Sequence, residues 1–276
     1  MSYFITSDNC KIYYEEYGSG EPLIFIHGWA CSHKVFKYQI EHFSKSHRVI
    51  VYDLRGHGSS DRSDVTERNM TVNRFADDLR ELILHLNLKR TCIAGWSLGT
   101  TILLCYARKY KCLDIDKMCF IDMTPKLLND HEWSLGHGSS MTMKKNLQFL
   151  SSLVRDWESA AKRFAAGSFA RDYDTKSEEY KWFLEDVLDN TPHCMINSWI
   201  SLTAGDYRKA LPFVKVPVLL AYGGNGLMCT PEHGEYMKDN LGGNSQLIVF
   251  HDCGHCLFLE DPSGFNKALS EFLTNS

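Results

Sequence analysis

Gly95-Trp96-Ser97-Leu98-Gly99 sets a serine between two glycines. The apolar run Thr91-Cys92-Ile93-Ala94 precedes it and a helix-like stretch, Thr100 to Tyr110, follows. This predicts a strand, a sharp turn and a helix, with a nucleophile at the bend. Glycines on both sides let the backbone turn steeply and let helix and strand approach. The serine hydroxyl then projects into a cleft with the Leu98 backbone N–H beside it. Such an arrangement predicts acyl transfer, most simply ester hydrolysis. Five residues of this kind also occur in ordinary turns, so the pattern gains meaning only if partners arrive in the right order.

A serine hydroxyl is unreactive at its own pKa and needs a base within hydrogen-bond reach. Of the 12 histidines, His255 is the candidate. It follows the strand-like run Gln246 to Phe250, and the small loop Asp252-Cys253-Gly254 would swing its imidazole back over the serine. Gly254-His255 also sits in a Gly-His-x-x-x-Leu-Glu-x-Pro context that ends at Pro262.

The elements that must hold these groups are short apolar runs alternating with helical periods. Lys11 to Tyr17 reads as an early strand ending in Gly18-Ser19-Gly20. Leu23 to Ile26, Val49 to Tyr52, Thr91 to Ala94, Met118 to Ile121, Val218 to Tyr222 and Gln246 to Phe250 read as central parallel strands. Between them, Phe75, Leu79, Leu82, Ile83 and Leu86 recur at helical steps within Val72 to Leu86. Alternation of this kind predicts a doubly wound sheet, whose chemistry sits just past the carboxyl ends of the strands. His27-Gly28-Trp29, Asp53, Ser97, Asp122 and the Gly223 to Thr230 loop all fall there.

From Lys126 to about Gly205 the strand signal vanishes. Leu147, Leu150, Val154, Trp157, Ala161 and Phe164 share one helical face, and Glu178 to Leu188 and Met195 to Leu202 add further helix. The expectation is a core formed by residues 1–125 and 206–276, with 126–205 inserted as a helical lid over the catalytic end of the sheet.

Laid together, His27-Gly28-Trp29, Asp53-Leu54-Arg55-Gly56-His57-Gly58-Ser59-Ser60, Gly95 to Gly99 and Gly254-His255 with Phe258-Leu259-Glu260-Asp261-Pro262 resemble the α/β-hydrolases over nearly the whole chain. Within that superfamily, the His-Gly-Trp segment and Gly-Trp-Ser-Leu-Gly resemble the lidded carboxylesterases of the pimeloyl-acyl-carrier-protein methyl ester esterase type. The resemblance implies a mostly parallel sheet flanked by helices, a loop-shaping role for His27, and a backbone N–H of Trp29 that joins the Leu98 N–H as the second oxyanion donor. It also exposes a departure. Relatives carry the acid of the triad in a Gly-x-x-Asp arrangement after the penultimate strand, and here that position is Gly226. A glycine cannot orient an imidazole. Some related haloalkane dehalogenases place their acid one strand beyond the elbow strand, where this chain has Asp122 at the end of Met118 to Ile121. Asp122 is therefore the expected acid, in the order Ser…Asp…His. Glu232 is the next candidate, and a site with no acid stays open. Asp252 is too near His255 in sequence to reach its rear nitrogen.

The totals exclude other classes. The 276 residues carry 30 basic and 34 acidic side chains, a formal charge of −4, which gives no footprint for nucleic acid. The N-terminal Met1 to Asp8 lacks a signal-peptide pattern, no apolar run is long enough for a membrane span, and ten cysteines, several within apolar runs, suit a reducing cytoplasm. The Cys253/Cys256 pair has no second pair to complete a zinc site, and His131 and His137 are spaced six apart rather than four. No metal is expected. Asp53 and Arg55 read as braces for the loops, the glycines near them do not match a dinucleotide fingerprint, and no cofactor is implied.

The expected partner is a small-molecule ester with an apolar acyl or aryl group, suggested by Trp133, Phe149, Trp157, Phe164, Trp182 and Trp199. An acyl carrier protein could meet Lys144, Lys145, Arg155, Lys162, Arg163 and Arg171, but Asp156, Glu158 and Asp172 are interspersed among them, which favours a solvated face. The same serine constellation also serves carbon–carbon bond hydrolysis or acyl transfer to an acceptor other than water. A non-catalytic small-molecule receptor is the reading that Gly226 favours. Dehalogenation is set aside because the resemblance implies an aspartate where Ser97 stands.

Overall fold

Leu23, Ile24, Phe25 and Ile26 are each no more than 1% exposed. A strand loses water from both faces in this way only inside a parallel sheet layered with helices. The computed structural model describes residues 2–62 and 69–274. Its sheet contains β1 (Ser2–Ile5), β2 (Lys11–Tyr17), β3 (Pro22–Ile26), β4 (Arg48–Tyr52), β5 (Thr91–Trp96), β6 (Ile115–Ile121), β7 (Val218–Gly223) and β8 (Ser245–Phe250). The order across the sheet is β1-β2-β4-β3-β5-β6-β7-β8. β1 and β2 are antiparallel at one edge, and β3 to β8 are parallel. This is the mostly parallel sheet expected from the sequence, with β1 added. Of β1's residues only Phe4 is buried, and its apolar run, Tyr3-Phe4-Ile5, is too short to stand out as a strand in the sequence.

Helix Val72–His85 forms where its period predicted, with the Thr71 hydroxyl accepting the Arg74 N–H as its N-cap. It packs against helix Leu98–Tyr110, which in turn lies on β5. Four longer helices, Met143–Arg155, Trp157–Gly167, Glu178–Leu188 and Pro192–Ala204, lie between β6 and β7. The first two divide what the sequence presents as one apolar face from Asn146 to Phe164. Asp156 leaves helical geometry at φ −156° and its carboxylate accepts the Ser159 N–H, so it ends one helix and caps the next. Leu147 and Val154 do not join the buried face: they are 59% and 71% exposed, while Asn146 and Leu153 of the same helix are buried. Among the described residues, no helix is long and apolar enough to cross a membrane.

Arg55 locks the loop after β4 to its surroundings. Its fully buried guanidinium holds Asp78 of helix Val72–His85 through two bonds of 2.7 and 2.6 Å, and Asp8 of the β1–β2 turn through two more of 2.7 and 2.9 Å. The Arg55 pairing holds Asp8 well below the usual carboxylate range, while burial pushes Asp78 upward despite its two arginines. Asp53, at the end of β4, accepts from the His33 N–H, from His33 Nδ1 and from the Ser59 N–H. Both residues brace loops, in line with their expected structural roles.

Removing one member of a buried pair leaves the other charged and desolvated. Arg55→Ala is expected to lower unfolding free energy by about 3 kcal/mol, the low end for such a loss because Arg74 still contacts Asp78. Urea unfolding monitored by circular dichroism measures it, and Arg55→Lys is expected to recover less than half because an ammonium cannot make both forked pairs.

Candidate active site

The turn after β5 is as sharp as its glycines allow. Ser97 has φ 56° and ψ −116°, a conformation that a non-glycine residue occupies only under strain. Both glycines are required by contact. A Cβ on Gly95 would stand 2.6 Å from the carbonyl of Gly99, and one on Gly99 would stand 2.4 Å from the carbonyl oxygen of Ile26 in β3. The bend is tied to β6 through the Ser97 N–H, which donates to the Ile121 carbonyl at 3.0 Å. Thr100 adds a second tie, donating its hydroxyl to the Gly95 carbonyl and accepting the Ile121 N–H. Helix Leu98–Tyr110 begins at once, so the Leu98 N–H is among those that a helix leaves without an intrahelical acceptor.

A buried carboxylate–imidazole pair joins the end of the neighbouring strand β6 to the loop after β8. Asp122, the residue after β6, accepts from His255 Nδ1 at 2.6 Å, and both side chains are 1% exposed. The other Asp122 oxygen accepts the Gly223 N–H at the end of β7, at 2.9 Å. The Cys229 thiol lies close enough to this carboxylate for its charge to push the thiol pKa further up, burial being the main cause. A carboxylate accepts only, so Nδ1 carries the proton and Nε2 presents a lone pair. That Nε2 is buried without a partner among the described residues. The imidazole is held from behind as well: the Trp96 indole N–H donates to the His255 carbonyl at 2.9 Å, and the two rings lie 5.2 Å apart.

Of the two carboxylates weighed from sequence, Asp122 meets His255 and Glu232 does not. Glu232 is exposed in the first turn of helix Pro231–Asn240, where the Thr230 hydroxyl and the helix start hold its pKa low. Asp252 is exposed. Gly226 is buried next to Gly254, and a Cβ there would make only ordinary contacts, the nearest at 3.4 Å to Gly254 Cα.

The loop after β3 crosses directly over the bend. A Cβ on Gly28 would lie 2.9 Å from the Trp96 ring and 3.1 Å from Ser97 Cβ. His27 shapes this loop with both nitrogens engaged, Nε2 accepting the Leu54 N–H and Nδ1 facing the Gly28 carbonyl, and burial lowers its pKa to about 4. Trp29 points into the inserted helices. Its indole N–H donates to the Met195 carbonyl at 2.9 Å, and its ring meets Phe164, Trp199, Phe149 and Trp157 at centroid distances of 4.8 to 6.2 Å. The other two aromatic residues expected there are elsewhere: Trp133 packs on Tyr236, and Trp182 lies under the Lys37 ammonium.

Two residues near the pair carried no sequence signal of their role. His137 is half-buried, and desolvation together with nearby His255 and His233 lowers its pKa to about 3. Glu260, noted only as part of a motif, accepts the Gly254 N–H. The metal readings find no support in the geometry: among the described residues no group of three or more His, Cys, Asp or Glu could hold an ion. Burial pushes the Cys253 thiol up to about 12 and holds Cys256 well above the ordinary thiol value, so neither favours the thiolate.

Comparison with known proteins gives a consistent picture. A family model described as the α/β hydrolase fold matches residues 21–262. An AB hydrolase superfamily protein, YisY, of Bacillus subtilis is 28% identical, with 98% of each chain covered. A pimeloyl-[acyl-carrier protein] methyl ester esterase of Nitrosomonas europaea is 27% identical over 92% of this chain and 96% of its own. Among solved structures, an esterase from Exiguobacterium antarcticum superposes with a TM-score of 0.90 at 28% identity, covering 99% of both chains.

A short bond between Asp122 and His255 Nδ1 should deshield the shared proton strongly. The proton NMR spectrum is expected to show a resonance far downfield of the amide envelope that is absent in Asp122→Asn and retained in Glu232→Gln.

Proposed function

Because the chain belongs to the α/β-hydrolase family, we propose that it is a serine esterase acting through an acyl-enzyme on Ser97. The observation that carries this reading is the buried Asp122–His255 pair, whose free Nε2 belongs to the strand-end cluster that includes the strained Ser97 bend. His255 Nε2 takes the hydroxyl proton as Ser97 Oγ attacks the ester carbonyl. The resulting oxyanion rests on the N–H groups of Trp29 and Leu98, each worth about 2.7–4 kcal/mol of barrier. Collapse breaks the acyl–oxygen bond, and the alcohol leaves with the proton held by His255. Water then repeats the sequence on the acyl-enzyme and releases a carboxylate. Asp122 keeps the imidazole in the tautomer that accepts at Nε2 and stabilises the imidazolium formed in each step.

Residues 126–205 act as the lid and supply the acyl pocket. Phe149, Trp157, Phe164 and Trp199 around Trp29 favour an ester with an apolar acyl or aryl group. A carrier-bound acyl ester is a second reading, favoured by one feature. Helix Met143–Arg155 bears Lys144, Lys145 and Arg155 with no acid, beside exposed Met143, Leu147 and Val154. A Lys144→Glu/Lys145→Glu variant that loses rate on a carrier-bound ester, relative to the free ester, favours it.

With a short-chain p-nitrophenyl ester, Ser97→Ala is expected to abolish turnover and Asp122→Asn to cut kcat by about 10²–10⁴ through tautomer loss. Space at Gly226 allows the usual acid to be restored. Asp122→Asn/Gly226→Asp is expected to recover at least about tenfold of that loss. Full turnover in Ser97→Ala would sink the reading. Carboxylate and alcohol as sole products separate ester hydrolysis from transfer to another acceptor, and a β-diketone left intact separates it from carbon–carbon cleavage.

A further inference from the structure

Two segments lie against each other behind the imidazole. Ser168, Phe169 and Ala170 follow helix Trp157–Gly167, while Gly254, His255 and Cys256 carry the histidine. The Cys256 N–H donates to the Ser168 carbonyl at 2.8 Å. Gly254 is pressed onto the facing peptide, where a Cβ would come within 2.3 to 2.5 Å of Phe169 and Ala170 backbone atoms. One side chain then joins the two segments. Glu260, at the end of the short helix Leu257–Glu260, accepts the Gly254 N–H on Oε1 and the Ala170 N–H on Oε2, both at 2.9 Å.

We propose that Glu260 is a positioning residue whose two oxygens hold the His255 loop and the helical insertion in one fixed relation, so that the imidazole stands correctly for Ser97 only while both are accepting. This rests on the serine-esterase reading above. Glu260's hydrogen bonds fall on the residue before His255 and on the insertion, and the residue after His255, Cys256, is anchored by its N–H to the Ser168 carbonyl. His255 is thereby fixed on both sides of its own backbone to the element that forms the acyl pocket.

The surroundings make this clamp sensitive to protonation. Burial is the largest influence on Glu260 and pushes its pKa up to about 7, opposed by the two N–H groups and reinforced by Asp122 and Asp172. Asp172, Tyr173 and Asp174 of the insertion and His251, Asp252, Cys253 and Asp261 of its own loop line the adjoining cleft, with no lysine or arginine among the lining residues. Cys256 is close enough to feel its charge. A protonated carboxyl turns one accepting oxygen into a hydroxyl, so one of the two N–H bonds weakens as pH falls through about 7.

Two measurements test it. In wild-type protein, the Gly254 and Ala170 amide resonances are expected to titrate together with a midpoint near 7, and to lose that shared midpoint in Glu260→Gln. In ester turnover, Glu260→Gln is expected to lower kcat about tenfold with KM changed less than about threefold. The acid limb of the wild-type kcat profile should steepen through a second ionisation that the variant lacks. Amides that titrate independently of Glu260, or a variant with wild-type kcat and an unchanged profile, overturn the proposal. The amide titration reads the clamp whether or not an ester is turned over. A fluorophosphonate that fails to label wild-type Ser97 would instead strike the serine-esterase reading.

Discussion

The 2.6 Å hydrogen bond between Asp122 and His255 is the contact that the surrounding architecture serves. Each partner is delivered by a different strand end. Asp122 leaves β6 at a positive φ of 47° and is steadied by the Gly223 N–H from β7, while His255 follows β8 and is backed by the Trp96 indole from β5. The four strands are neighbours in the sheet. The sheet thus gathers side chains that lie far apart in sequence, and the antiparallel edge formed by β1 and β2 takes no direct part in the pair.

Both partners are almost wholly buried, and an isolated carboxylate at such a depth would be costly. Asp122 meets that cost with two donors, the His255 imidazole and the Gly223 N–H. The same desolvation strengthens its interaction with an imidazolium formed during turnover in the proposed reaction. This arrangement explains how Gly226 is tolerated. The rear nitrogen of His255 already has its acceptor, so the loop after β7 is free of that duty and supplies Gly223 as a donor instead. Glu260 adds a constraint on the backbone to one already placed on the ring.

Much of this was legible in the sequence because it depends on local rules. Central strands appear as unbroken apolar runs when both faces are covered, and the elbow glycines appear because a Cβ has no room at either place. Edge strand β1 was not legible, since it buries one residue only. The break at Asp156 was hidden by a helical period that continues across it, although an aspartate followed by the Ser159 N–H is an ordinary N-cap. Convergence of residues was harder still. That Asp122, rather than Glu232, meets His255 follows from strand order, which no spacing encodes. That Phe149, Trp157, Phe164 and Trp199 surround Trp29, while Trp133 and Trp182 turn away, depends on how the inserted helices pack. The role of Glu260 depends on two backbone donors from distant segments, for which a residue type alone gives no cue.

The central claim is that Ser97 forms a covalent acyl intermediate. The most direct measurement is mass spectrometry of protein quenched early in its reaction with a slowly deacylating activated ester, followed by peptide mapping. The account predicts a single acyl group per chain, on the peptide containing Ser97, accumulating in step with the burst of released alcohol. An acyl group on another residue, or product formed with no adduct at Ser97 under conditions where the alcohol burst is seen, would contradict it.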